Sequence, residues 1–177
     1  MLGVDTSRVA NLAAVATNPS PDTVLTSLDG DSRPIEEWLT TFHYACVVLD
    51  PYTNESAWIL KTASRILAAF SGSDARTTFV LTCSRDEARN FLGPLTEEFM
   101  VLVDPDRAFV KQLGLKELPA FVFLRTDGTV PAAAEGWNAL EWRAVADEIA
   151  TTCAWKRPNM PVAGDPSPFH GTPALAS

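Results

Sequence analysis

The chain has 177 residues, of which 46% are apolar and 20% charged, with a formal net charge of −8. That acidic balance argues against a nucleic-acid or anionic-membrane partner, because both reward a clustered basic face. Cysteines at 46, 83 and 153 and histidines at 43 and 170 give no Cys-x-x-Cys pair and no metal-ligand spacing, so no metal and no cofactor is expected.

About 150 residues suffice to bury roughly 70% of the unfolded surface, so one domain with a tail needs no disulfide to hold it. An odd number of separated cysteines reads as buried free thiols in a reducing compartment. Val9 to Thr17 is short and alanine-rich, and Arg8 is the lone early cation, which does not make a secretory leader. With no apolar run of about 18 residues, no membrane insertion is expected. The expected location is the cytoplasm.

Residues 5 to 17 carry Val9, Leu12, Ala13 and Ala16 at helical spacing, and Asn18-Pro19-Ser20-Pro21 ends that helix. Thr23 to Leu28, the Asp29-Gly30 turn and Ser32 to Ile35 read as a small hairpin. Ile35 to Phe42 follows as a helical turn with Trp38, Leu39 and Phe42 inward. Cys46 to Leu49 is an apolar strand that breaks at Asp50-Pro51. Ile59, Leu60, Ala63, Ile66, Leu67 and Phe70 then line one helical face, with Lys61, Ser64 and Arg65 on the other.

Thr77 to Thr82 is a second apolar strand, ending at Cys83. Ser84 with Glu87 three residues on has capping-box spacing, and Ala88, Phe91 and Leu92 form the inner side of the helix it opens. Gly93-Pro94 stops that helix, and Phe99 to Val103 is the next strand. Asp104-Pro105 is expected to start another helix with proline in its first position. Phe109, Val110 and Leu113 face in, and Gly114 ends it. Phe121 to Leu124 and Thr129 to Ala134, joined at Asp127-Gly128, read as an antiparallel pair. Asn138 with Glu141 caps a last helix facing Trp142, Val145, Ile149 and Cys153 inward. From Arg157 the prolines and glycines leave no periodicity, so the tail is either disordered or a strap across this domain or a partner. Three segments follow: an N-terminal helix and linker (1–22), a folded domain (23–156) and a tail (157–177).

This order of elements resembles the thioredoxin-like superfamily, and within it the TlpA-type thiol–disulfide proteins and the alkyl-hydroperoxide-reductase-type peroxiredoxins. Three patterns carry the likeness over residues 23 to 150. Thr26-Ser27-Leu28-Asp29-Gly30 with Ile35 and Trp38-Leu39 is similar to that branch's first hairpin. Asp104-Pro105-Asp106 through Lys111-Gln112-Leu113-Gly114-Leu115 to Leu118-Pro119-Ala120 resembles its approach to the cis-proline strand. Phe121-Val122-Phe123-Leu124 with Asp127-Gly128 and Gly136 resembles its closing hairpin. The resemblance implies a three-layer α/β/α domain around a mixed sheet, with the added N-terminal helix and hairpin.

It also implies a site at which this chain departs from the family. The thioredoxin register puts the nucleophile at Ser56 and the resolving position at Ile59. In the peroxiredoxin register Thr53-x-x-Ser56 is similar to Thr-x-x-Cys with serine for the peroxidatic cysteine. Serine cannot exchange with a disulfide or reduce a peroxide, because that chemistry needs a thiolate, and no His or Lys stands near it as a base. The resemblance makes Pro119 the cis residue, as a peptide-binding edge or as a loop shaper. Asp50, at the family's buried-carboxylate position, is expected to form a turn or a cap.

Two functions compete. One is a redox-inactive binding or accessory subunit that holds another protein through Tyr52, Thr53, Glu55, Ser56, Trp58, Leu118 and Pro119, with the tail. The alternative is a monothiol enzyme or sensor using Cys83, whose place just before a capped helix is one that lowers a thiol's pKa.

Overall fold

The computed structural model describes residues 16–175; the helix expected over residues 5 to 17 falls almost wholly outside them. Among the described residues the strands are β1 (Val24–Ser27), β2 (Ser32–Pro34), β3 (His43–Leu49), β4 (Ala75–Leu81), β5 (Met100–Val103), β6 (Glu117–Leu118), β7 (Ala120–Leu124), β8 (Ala132–Glu135) and β9 (Thr172–Pro173). The helices are α1 (Ile35–Trp38), α2 (Asn54–Ala68), α3 (Arg85–Leu92), α4 (Leu95–Glu98), α5 (Ala108–Leu113) and α6 (Ala139–Cys153).

Seven strands form one mixed sheet in the order β2-β1-β5-β4-β3-β7-β8, while β6 and β9 pair apart from it. The central strands β3, β4 and β5 run parallel, and α2 supplies the crossover that a parallel β3–β4 pair requires. Strands β1, β7 and β8 join antiparallel. Because side chains alternate along a strand, β3 sends Ala45, Val47 and Leu49 to one core and Tyr44, Cys46 and Val48 to the other. The first core packs Ile59, Ala63, Ile66 and Leu67 of α2 with Trp142, Val145 and Ile149 of α6. The second packs Phe109, Val110 and Leu113 of α5 with Leu25, Ile35 and Leu39. The result is the expected three-layer α/β/α domain.

Local signals act as their chemistry dictates at most junctions. Ser84 and Glu87 form the reciprocal capping box, and Asn138 accepts from the backbone N–H groups of Leu140 and Glu141. Gly114 ends α5 at φ 69. The start of α5 differs from expectation. Pro105 and Asp106 form a turn, Arg107 sits in the left-handed region at φ 59, and the helix begins only at Ala108. The buried Asp104 carboxylate reaches forward to accept from Phe109 N and Val110 N at 3.2 and 3.1 Å. Those are free N–H groups of the first turn, so a side chain cap replaces the proline start. Gly93 ends α3 as expected, but Pro94 opens the further short helix α4.

The proline-rich tail lies across this domain as a strap. Met160 is buried in the first core, and its carbonyl accepts from Arg143. Asp165 accepts from Thr62 Oγ1 and pairs with Arg65, both at 2.8 Å. The α2 face that carries Ser64 and Arg65 is therefore half-covered rather than solvated, because a segment without periodicity packs on it through polar contacts. Further on, Trp137 and Phe169 exchange backbone hydrogen bonds, and β9 pairs with β6 in the register Glu117↔Pro173, Leu118↔Thr172.

Candidate functional site

The site lies at the pole where β3 and β4 end and α2 begins. From Tyr44 to Leu49 β3 is buried throughout, and Asp50, itself buried, is the first charged side chain to follow it. The 50–56 loop closes on itself. Asp50 N donates to Ser56 Oγ at 2.9 Å, Thr53 Oγ1 donates to the Asp50 carbonyl at 2.8 Å, and Tyr52 N donates to Asp50 Oδ1 at 3.1 Å. Ser56 is 0% exposed. Its hydroxyl satisfies a buried backbone donor, which is a structural task.

Asp50 also faces Arg107, whose guanidinium donates to Oδ2 at 2.9 Å. Another terminal nitrogen of Arg107 donates to the carbonyl of Ala174 in the tail. Asp50 thus makes its turn contact and an ion pair besides. A carboxylate closing a buried strand needs a partner when it is itself buried. Nothing in the spacing pointed to Arg107 in particular.

Tyr52 and Trp58 remain open, at 64% and 56% exposure. The Tyr52 hydroxyl donates to the Glu87 carboxylate, and that hydrogen bond is the first cause of a phenol pKa pushed up to about 12. Trp58 meets Phe169 of the tail edge-on, with ring centroids 5.6 Å apart. Thr53 and Glu55 are half-buried. The Leu118-Pro119 peptide bond is cis, and the pairing of Ala120 with Val48 brings Pro119 to the end of β3. Leu118 and Pro119 are both buried, however, because β9 covers the segment expected to be a free edge. The structure gathers Tyr52, Thr53, Ser56 and Trp58 on one loop and helix, and it places Leu118 and Pro119 beneath the tail.

All three thiols are buried. Cys83 is 2% exposed, and burial, then Glu87 and Asp50, push its pKa up to about 12. The helix-terminus effect expected for it is outweighed by desolvation and two nearby carboxylates. Burial likewise raises Cys46 and Cys153. Among the described residues Ser56 Oγ is hydrogen-bonded by Asp50 N and Thr53 Oγ1, while His43 Nδ1 accepts from Thr126 N in the loop after β7 and the Asp50 carboxylate pairs with Arg107. Among the described residues no group of three or more His, Cys, Asp or Glu assembles as a metal site. No helix there is long and apolar enough to cross a membrane.

No family model and no curated protein sequence matches this chain, but solved structures do. A secreted Mycobacterium tuberculosis disulfide oxidoreductase homologous to E. coli DsbE is 19% identical, with a TM-score of 0.57 over 73% of this chain and 96% of its own. Xanthomonas campestris peroxiredoxin Q is 15% identical, with a TM-score of 0.61 over 81% and 98%. A hypothetical protein from Sinorhizobium meliloti 1021 is 11% identical, with a TM-score of 0.65 over 92% and 94%. At these identities the likeness is one of fold.

Proposed function

This chain has a thioredoxin-like fold, and from that premise we propose that it is a non-catalytic protein of that fold, an accessory subunit that binds another protein through the pole bearing Tyr52 and Trp58. One observation carries the reading: the serine that resemblance puts at the nucleophile position is wholly buried, its Oγ accepting the Asp50 N–H. A hydroxyl spent on the backbone, without a base, has no route to covalent catalysis. Two large exposed aromatic side chains beside it supply anchor surface of the kind that dominates protein interfaces. The buried, high-pKa Cys83 speaks against the monothiol reading.

The test has two arms. Insulin-disulfide reduction and peroxide consumption are measured on the wild-type chain, with no turnover expected. A photo-crosslinking amino acid is then placed at Trp58 and, as a control, at Asp127 in the distant β7–β8 turn. Defined protein adducts from position 58 alone are expected. Turnover in the first arm, or equal adducts from both positions, overturns the proposal.

A further inference from the structure

The strap ends in an unusually specific seat. Phe169 and Trp137 exchange N–H···O bonds of 3.0 and 2.9 Å. Gly171 N donates to the Glu117 carboxylate at 3.1 Å, and Ala174 N donates to the Lys116 carbonyl at 2.9 Å. Arg107 caps the run on the Ala174 carbonyl. The Glu135 carboxylate accepts from Lys116 N and Glu117 N, so the receiving edge is braced from behind. Phe169 packs on the first core and Ala174, 0% exposed, on the second.

Two glycines set the clearance. A Cβ at Gly171 would lie 2.6 Å from the Leu118 carbonyl oxygen, and one at Gly136 would lie 2.8 Å from the Phe169 carbonyl oxygen. Backbone therefore meets backbone on both sides of the contact. The recognising groups are mostly main-chain atoms, and the side-chain demands are few: an aromatic ring at 169, none at 171, a small methyl at 174. That is the physics of an extended peptide added to a sheet edge.

We infer that this seat is a peptide-binding groove, that residues 169–174 occupy it as an internal ligand, and that it accepts from a partner protein an extended segment of the same pattern, aromatic-x-Gly-Thr-Pro-Ala. The inference rests on the binding reading above and gives its ligand a chemistry. Tethering gives the tail an effective concentration on the order of millimolar, so a partner segment enters only when the tail leaves. The groove is closed by default.

The test uses the full-length chain and a fluorescent peptide of residues 166–177, read by anisotropy. Gly171→Ala in the chain dislodges the tail, and Ala174→Asp, which drives a charge into the buried methyl seat, does so independently; both substitutions lie in the strap. Hydrogen exchange at Phe169 and Ala174 verifies release. Either variant is expected to bind the peptide at least about tenfold more tightly than wild type. A peptide carrying Gly171→Ala is expected not to bind, nor is a chain that also carries Gly136→Ala on the groove side. A released tail without peptide binding, or equal binding of the glycine-less peptide, overturns the groove. So does a tail that both variants leave protected. Any of these results beside specific crosslinking from Trp58 leaves the partner-binding reading standing and removes the groove alone.

Discussion

Arg107 and Asp50 form an ion pair at 2.9 Å that is largely buried on both sides, and the same guanidinium holds the Ala174 carbonyl of the tail. One cation thus ties the end of the central strand, the start of α5 and the C-terminal strap. Its left-handed backbone at φ 59, uncommon outside glycine, belongs to the turn that aims it there.

Arg107→Met is expected to cost about 3–5 kcal/mol, since it leaves a buried carboxylate unpaired. Asp50→Asn with Arg107→Met is expected to cost clearly less than the two single changes added together, because neither charge is then stranded. Urea denaturation of the four proteins checks this. Additive losses would show that the pair is not coupled. Arg107→Met is also expected to raise hydrogen exchange at Ala174 N.

Ser56→Ala is expected to lower stability by about 1–3 kcal/mol, the cost of a buried N–H without an acceptor. Ser56→Cys is expected to stay inert to iodoacetamide until denaturant is added, and to reduce no insulin. Rapid native alkylation at position 56 would show that the site is open to reagents.

The thiols give stability a defined pH dependence. In the unfolded chain a cysteine ionises near about 8.5, whereas native Cys83 is held up at about 12 and burial raises Cys46 as well. Between these values the unfolded state has lost protons that the native state keeps, so stability is complete below about pH 8.5 and falls as pH rises. The limiting slope is about 1.4 kcal/mol per pH unit for each such thiol. Cys83→Ala is expected to make the alkaline limb of the unfolding free energy shallower, as measured by urea melts from pH 8 to 10.5. An unchanged limb would mean that the native thiol ionises freely.

The sheet was legible because its strands are short apolar runs bounded by turn chemistry, and the helices because period and caps agree, as at Ser84–Glu87 and Asn138. What misled was long-range. Asp104-Pro105 looks like a helix start, and only the folded chain shows the Asp104 carboxylate reaching Phe109 and Val110 instead. Arg65 sits on a polar helix face, yet it is half-covered because Asp165, 100 residues on, packs against it. The Cys83 alternative rested on the helix terminus, a local effect, and burial could be expected from its apolar strand, but the Glu87 and Asp50 carboxylates beside it come only from the fold. The strap was invisible to periodicity because polar contacts at Asp165 and close backbone approaches at Gly136 and Gly171, not an apolar stripe, hold much of it.

Asp165 is the hinge on which the first half of that strap depends. Its carboxylate accepts from Thr62 Oγ1, from Arg65 and from Val162 N, each at 2.8 Å, with only 3% of its side chain exposed. Asp165→Ala removes all three bonds and leaves Thr62, itself buried, without its acceptor. A loss of about 1.5–3 kcal/mol is expected, in the range of charge-assisted hydrogen bonds. The loss is expected to be local. Limited proteolysis is expected to cut between residues 158 and 168, while Phe169 and Ala174 keep their exchange protection, because Trp137, Lys116 and Arg107 hold that end separately. If both halves of the tail open together, the strap is one cooperative unit anchored through Asp165.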